Sequence, residues 1–349
     1  MSASPRCEPS PTEEPLTHQK LLSLRVLWPG EVDRICDEER QTRFLVEGFL
    51  AVKSIGIAAG ESTIGKSPLM YQLGLCVAAG VPFLGMPTTQ GRVLYFDLEN
   101  GINDSKMMRD ALVRFLGLEH APEDFLLVTD PSPSLEGLIA EIKPDLVIID
   151  SLRAFAPEAT ERNRPAAEWL KNLRRLARKY GTVFLIVHHL RKPKEDPLHD
   201  LESCRVVTWM LEMEGPRALV NQTDVRIALE QGNFNPAALK LKWSRRVHGD
   251  SPLVLLERVF DGEGEPAGHH HLTGAAFLKD ERRAAFDKLP NEFRFKDAKA
   301  ALNRSDDPTN KFLNESRQLG LIEKLARGRY RKVTPVAARP AIPASQESE

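Results

Sequence analysis

The sequence predicts an α/β protein: a mostly parallel sheet built around a phosphate-binding loop, followed by a small unit of helices and a basic hairpin. Three observations carry this. The stretch Gly60-Glu-Ser-Thr-Ile-Gly-Lys-Ser67 fits the G-x-x-x-x-G-K-[ST] pattern at every fixed position. From Ser54 to Val187, apolar runs of strand length alternate with amphipathic helical segments, the mark of βαβ units. Past a Gly/Glu/Pro-rich stretch at 261–268 the alternation stops, and residues 276–335 hold 15 Lys+Arg against 9 Asp+Glu.

The bulk numbers frame the rest. At 349 residues the chain has room for one large domain and an appendage. Its formal net charge of −1 means that any attraction for nucleic acid must come from local charge. Cys7, Cys36, Cys76 and Cys204 are widely separated, which argues against a zinc site or a disulfide framework and suits a reducing, cytoplasmic setting. No apolar run reaches the roughly 18 residues of a membrane span. Residues 1–20, rich in Pro, Ser and Glu, and the tail 336–349 read as disordered.

In chain order, Phe44–Ala51 alternates as a short entry hairpin, and Ser54–Ala59 is a buried strand. The phosphate loop then feeds a helix through Ala79, with Pro68 tolerated in the first turn, where no N–H is needed. Gly91–Asn100 is a strand ending in the carboxylates Asp97 and Glu99. Asp104 caps a helix with apolar positions Met107, Met108, Ala111, Leu112, Phe115 and Leu116. Phe125–Val128 and Asp145–Asp150 are strands around a helix over 134–142. Pro165 opens a long amphipathic helix that Gly181 closes, and Thr182–Val187 is again a strand. From Asp224 to Glu257 three runs without intervening helices read as antiparallel strands. The domain plan is an α/β core over 21–260, a linker over 261–273 and a C-terminal unit over 274–335.

Each candidate site residue has a chemical reason. Gly60 and Gly65 let the loop Gly60, Glu61, Ser62, Thr63, Ile64, Gly65 turn its N–H groups onto phosphate oxygens, helped by the dipole of the following helix. Lys66 reaches the β- and γ-phosphates of ATP, and the Ser67 hydroxyl binds Mg2+. Asp150, at a strand end, suits a second Mg2+ contact. Hydrolysis also needs a group to orient or deprotonate water. Ser151, not a glutamate, follows Asp150, so Glu99 at its own strand end is the candidate, with Asp97 as fallback on the same side by alternation. His188 and His189, followed by Lys192, end the next strand and point to opposite faces, suited to sensing the γ-phosphate or to a structural or metal role. His269, His270 and His271 lie in the linker, without carboxylates at metal-site spacing.

Val46-Glu-Gly48, GESTIGKS at 60–67, VLYFDLE at 93–99, LVIIDSLR at 146–153 and VHHLRK at 187–192 together resemble the RecA-like ATPases of the plasmid RepA-type and DnaB-like hexameric helicase group. The resemblance covers about residues 44–260 and implies a RecA-like P-loop ATPase core. It also implies that Glu99 activates water, that the region of His189 senses nucleotide, and that subunits form a ring, possibly a hexamer. Two segments depart from that group. His199-Asp-Leu-Glu-Ser-Cys-Arg205 stands where an Arg-Gly-Ser segment is usual. Lys242-Trp-Ser-Arg-Arg-Val-His-Gly249 alters the Lys-x-Arg-x-Gly finger, leaving Arg245 and Arg246 either as fingers acting on a neighbour's site or as solvated charges.

In the C-terminal unit, helices over 277–289, 295–302 and 307–319 precede a hairpin around Arg327-Gly328, an arrangement resembling a winged-helix domain. Lys311 and Arg317 on the third helix, with Lys324, Arg327, Arg329 and Arg331 in the hairpin, suit DNA phosphates. A protein partner is the other use of such a module. The expected whole is a homo-oligomeric ATPase acting on DNA, with single-stranded DNA through the ring, as in replication of a plasmid- or phage-type element. An ATP-dependent switch or loader without unwinding, and a DNA-binding regulator whose nucleotide sets oligomer state, are the alternatives. No membrane association is expected.

Overall fold

The computed structural model describes residues 28–38, 43–130, 134–190, 200–232, 238–260, 262, 264, 266–271, 278, 280–318 and 321–333. The expectations for residues 1–20 and 336–349, and those for Lys192 and His199, lie outside these. Residues 1–43 and 44–349 form separate compact units. In the first, Pro29–Glu38 is a helix, and the Glu31 carboxylate accepts a hydrogen bond from the Trp28 N–H at its start (2.9 Å).

In the second unit, β1 (Phe44–Val46) and β2 (Leu50–Ala51) form the entry hairpin. Then follow β3 (Ile55–Gly60), α1 (Lys66–Ala79), β4 (Val93–Asp97), α2 (Ile102–Phe115), β5 (Phe125–Val128), α3 (Leu135–Ile142) and β6 (Leu146–Asp150). After two short helices at Leu152–Phe155 and Glu158–Glu161 come α4 (Asn163–Tyr180) and β7 (Val183–His189). A return segment leads to β8 (Val225–Gln231), β9 (Ala238–Arg245), β10 (Gly249–Asp250), β11 (Val254–Phe260) and β12 (Pro266–His271).

The main sheet has the order β12-β11-β9-β8-β3-β7-β6-β4-β5, with β10 beside β9. From β5 across to β8 every pairing is parallel. The antiparallel extension expected from residue 225 therefore begins one strand later, at β9. The segment between β7 and β8 returns the chain to the amino end of the sheet, so β8 enters alongside β3 rather than as a hairpin partner. Lys240, almost fully buried on β9, ties that segment to β8, pairing with Asp200 (3.1 Å) and Glu202 (3.4 Å) of the segment and with Glu230 (3.1 Å) of β8.

Both faces of the sheet are buried, which is why its strands read as nearly continuous apolar runs. Alternate residues serve opposite layers: Tyr95 and Ile148 pack with Leu69 and Leu73 of α1, whereas Phe96 and Ile149 pack with Leu170 and Leu173 of α4. The α2 helix begins at Ile102, with Gly101 rather than Asp104 at its cap, so Asp104 lies in the first turn and favours the positive end of the helix dipole. Likewise α4 starts at Asn163, two residues ahead of Pro165.

The expected linker over 261–273 is corrected in its second half. Pro266–His271 forms β12, an edge strand antiparallel to β11, because Gly268-His-His-His271 has cross-strand partners and a helix surface to cover. Its approach to α2 is close: a Cβ on Gly268 would stand 2.4 Å from Phe115 Cδ1.

The C-terminal residues form α5 (Asp280–Lys288), β13 (Glu292–Arg294), α6 (Phe295–Leu302), α7 (Asp306–Gln318), β14 (Ile322–Ala326) and β15 (Arg329–Lys332). The sheet β13-β15-β14 closes over a core of Leu278, Phe286, Phe293, Leu302, Phe312 and Ile322. Among the described residues, no helix is long and apolar enough to cross a membrane. Gly268→Ala is expected to destabilise the fold by about 1–3 kcal/mol through overpacking against Phe115, measured by urea unfolding.

Candidate nucleotide site

The phosphate loop leaves the carboxyl end of β3, and the strands around it bring their own ends to the same edge. Gly60 is in register with His189 of β7, and Asp97 of β4 with Asp150 of β6. Open parallel sheets bind ligands at this edge. Gly65 adopts φ 96°, a left-handed conformation that only glycine takes without strain, and caps α1. A Cβ on Gly60 would meet Ile64 Cδ1 at 2.6 Å and the Leu229 carbonyl at 2.9 Å, so the loop leaves β3 through a gap that only glycine fits.

Lys66 is buried, and its ammonium folds back into the loop, donating to the carbonyls of Gly60 (3.1 Å) and Glu61 (2.5 Å). Burial lowers its pKa, opposed by Asp150, Glu99 and Glu61. The cation thus occupies the loop interior, held by acceptors that an anion can replace.

Asp150 accepts from Tyr95 Oη (2.7 Å). Burial pushes its carboxyl up to about 6, against the lowering effect of Tyr95 and Ser67, and Asp97 and Glu99 add to the rise. Ser67, at the start of α1, and Asp150, at the end of β6, are hard oxygen donors beside the loop, a donor set that fits Mg2+. They would hold the ion, which supplies charge neutralisation to the phosphates.

Glu99 stands beyond the end of β4, with its side chain nearly half exposed. Ser151 Oγ donates to Glu99 Oε1, and His189 Nε2 lies 3.7 Å from the same atom, at ion-pair rather than hydrogen-bond distance. The His189 imidazole, then Ser151 and Lys66, hold the Glu99 carboxyl down at about 2 against the effect of burial. Such a group is a weak proton acceptor and a good orienter of water.

The fallback, Asp97, is corrected. It is fully buried and accepts from Tyr71 Oη (2.6 Å), Ser105 Oγ (2.7 Å) and the Asn100 side chain (3.0 Å). The strand ends at Asp97, so strand alternation does not extend to Glu99. The two histidines divide as the alternation implies. His188 is buried with Nε2 against the Glu214 carbonyl (2.9 Å), and burial holds it neutral, down at about 4, whereas His189 faces Glu99.

Arg245 and Arg246 are not brought to this chain's own loop. Arg245 pairs with Val225, which is in register with Gly56 at the opposite end of β3, and its guanidinium covers the Phe44 ring at 4.6 Å. The tip from Arg246 to Gly249 is exposed. Lys242 is held inside the chain by the Cys204 carbonyl (2.8 Å).

Near the loop stands an arginine that no motif announces. Arg258 of β11 donates through Nη1 to the Thr63 carbonyl (3.0 Å). Its cross-strand partner His269 is buried against Gly65. The other two histidines take local partners, His270 with Glu257 (3.2 Å) and His271 with the Leu84 carbonyl (2.8 Å).

In the C-terminal unit, Lys311, Arg317, Lys324, Arg327, Arg329 and Arg331 are all exposed. Arg331 pairs with Glu323 (2.6 Å) and Arg329 approaches Glu292 (3.9 Å). Tyr330, between Arg329 and Arg331, stacks on Phe293 in the core (5.6 Å between centroids).

An AAA domain family model matches residues 26–195. The chain is 27% identical over 163 residues to the DNA repair protein RadA of Halalkalibacterium halodurans, a match covering 46% of this chain. It spans 33% of the length of that relative. The crystal structure of the RadB recombinase aligns over 63% of this chain and 91% of its own, at a TM-score of 0.44 and 17% identity. The family match takes in the phosphate loop and the strands from β3 to β7 that present the site.

The Asp150 shift gives a signed expectation. A carboxyl near 6 in the folded protein takes up a proton as pH falls through that value, and the metal must displace it. The Mg2+ concentration that half-saturates ATP binding is expected to rise about tenfold per pH unit below 6, by titration calorimetry. Glu99, held near 2, stays charged throughout that range and contributes nothing to the slope.

Proposed function

We propose that this chain is an ATP-hydrolysing RecA-type motor that assembles into a ring and acts on DNA, as a replicative helicase-like ATPase of a plasmid- or phage-type element. The observation that carries the ATPase reading is the convergence of Lys66, Ser67, Asp150, Glu99 and His189 on one sheet edge. Lys66 exchanges the loop carbonyls for phosphate oxygens when the triphosphate enters. Ser67 and Asp150 hold Mg2+. Glu99, fixed on one oxygen by Ser151, presents the other to the attacking water. His189 stands against Glu99, placed to report whether the γ-phosphate is present.

The match to a protein named for DNA repair supports DNA as partner, as does the exposed basic surface on α7 and the β14–β15 hairpin. The order α5-β13-α6-α7-β14-β15 suits a winged-helix module, in which α7 would enter the major groove and the hairpin would hold phosphates. Arg246, at an exposed hairpin tip away from this chain's loop, suits a finger for a neighbour's site, and Arg245 beside it would suit one on leaving the Phe44 ring.

One observation favours the switch or loader over the motor. Lys242, at the start of the altered finger segment, is committed to Cys204 within its own chain.

ATP turnover by purified protein is expected to rise severalfold on adding single-stranded DNA and to fall by at least about a hundredfold in Glu99→Gln and Lys66→Ala. Turnover indifferent to DNA would select the switch, and Glu99→Gln turning over normally would remove Glu99 from the mechanism. Displacement of a labelled strand from a forked duplex separates motor from loader.

A further inference from the structure

The β11–β12 hairpin lies over the phosphate loop, and three contacts tie it there. Arg258 Nη1 donates to the carbonyl of Thr63 at the crest of the loop (3.0 Å). Gln72, buried in the middle of α1, exchanges two hydrogen bonds with the backbone of His269: Nε2 to its carbonyl and Oε1 from its N–H, both 2.8 Å. The His269 ring then fills the space above Gly65. A Cβ on Gly65 would lie 3.2 Å from His269 Nε2 and 2.8 Å from Arg258 Cδ. Both His269 ring nitrogens are buried without a hydrogen-bond partner. A polar ring in that state is costly to bury, so its position against the loop needs a reason beyond packing.

The Thr63 bond has a consequence for the loop interior. A trans peptide points its C=O and its N–H in opposite directions. Arg258 holds the Thr63 carbonyl outward, and the N–H of Ile64, on the same peptide plane, is thereby turned to the other side. Phosphate loops work by aiming successive N–H groups at one anion, so fixing a peptide plane at the crest fixes one of the donors.

We propose that Arg258 is a positioning residue for the triphosphate, supplied from within the same chain: with His269 it clamps the phosphate loop in its binding geometry before nucleotide arrives. This rests on the nucleotide-site reading given above. The β11–β12 hairpin is then a working part of the site and not merely the edge of the sheet. Pre-organising the loop removes an ordering cost from binding, so its loss weakens affinity for the phosphates without touching any group that contacts them.

The test is calorimetric binding of Mg-ATP to the full chain and to Arg258→Met, Arg258→Lys and Lys66→Ala, with melting temperatures taken without nucleotide. Arg258→Met keeps the bulk and removes the donor, and is expected to raise the Kd at least about tenfold, the worth of one charge-assisted hydrogen bond. Arg258→Lys keeps a cation in reach of the Thr63 carbonyl and is expected to stay within about threefold of the parent. Should Arg258→Met not fold, Arg258→Gln replaces it, since its shorter amide does not span to Thr63. Parent-like affinity in Arg258→Met or Arg258→Gln would overturn the proposal, as would equal losses in the Lys and Met variants. A parent protein that binds no ATP, like Lys66→Ala, would instead sink the nucleotide-site reading on which the proposal stands.

Discussion

The structure depends on how completely α1 is enclosed. Twelve of its 14 residues are buried, so the helix that carries the phosphate loop has almost no free surface on which to shift. Its polar residues are spent on holding neighbours in place: Tyr71 on Asp97, Gln72 on His269. Such an enclosed helix gives the loop a fixed base, and the energy of later nucleotide contacts need not be used to order it. It also explains the apolar sequence Leu69–Ala79, which shows no amphipathic stripe because no face of the helix meets water.

At the carboxyl edge, two buried carboxylates stand side by side in register, Asp97 and Asp150, and a pair of tyrosines separates their roles. Tyr71 and Tyr95 lie with ring centroids 4.2 Å apart, one donating to each aspartate. Asp97 collects further donors from Ser105 and Asn100 and is saturated by the chain itself. Asp150 has Ser67 instead, a hydroxyl on the phosphate-loop side, and is left high in pKa by its burial. The electrostatic demand of the site therefore falls on Asp150, the carboxylate with capacity to spare for a cation. Glu99 differs again, because Ser151 and His189 meet it at the surface of the cleft, where it stays ionised and half solvated.

Much of this was legible in the sequence. The loop is a local motif, and the alternation of apolar runs with helical periods specified the parallel core, since neither depends on distant partners. Asp150 and Glu99 were readable because strand ends in parallel sheets fall on one edge. The tyrosine donors and the Arg258–His269 pair were not. Arg258 lies 195 residues from Thr63, and no spacing rule connects two segments that meet only when a hairpin folds across a helix. Gly268-His-His-His271 read as a linker because glycine and histidine lack strand-forming character, yet cross-strand pairing with β11 and the close pass over Phe115 decide its state. On β15, alternation turns Tyr330 into the core between two exposed arginines, Arg329 and Arg331.

The two ends of the extended sheet hold arginines of opposite kind, and strand direction separates them. β9 runs antiparallel to β8, so it carries Arg245 and Arg246 away from the phosphate loop to the amino edge, whereas β11 runs back and delivers Arg258 to the carboxyl edge. A cation at the amino edge cannot serve the loop of its own chain, because the full length of β3 intervenes. The tip there is built for exposure, with Val247 85% exposed beside Arg246. Arg258, by contrast, has its guanidinium drawn partly out of water, which lowers its pKa, and already has a job within the chain. An antiparallel extension on a parallel sheet thus sorts its arginines by strand direction alone: β11 brings Arg258 to the chain's own loop, and β9 leaves Arg245 over Phe44 and Arg246 in solvent at the far edge.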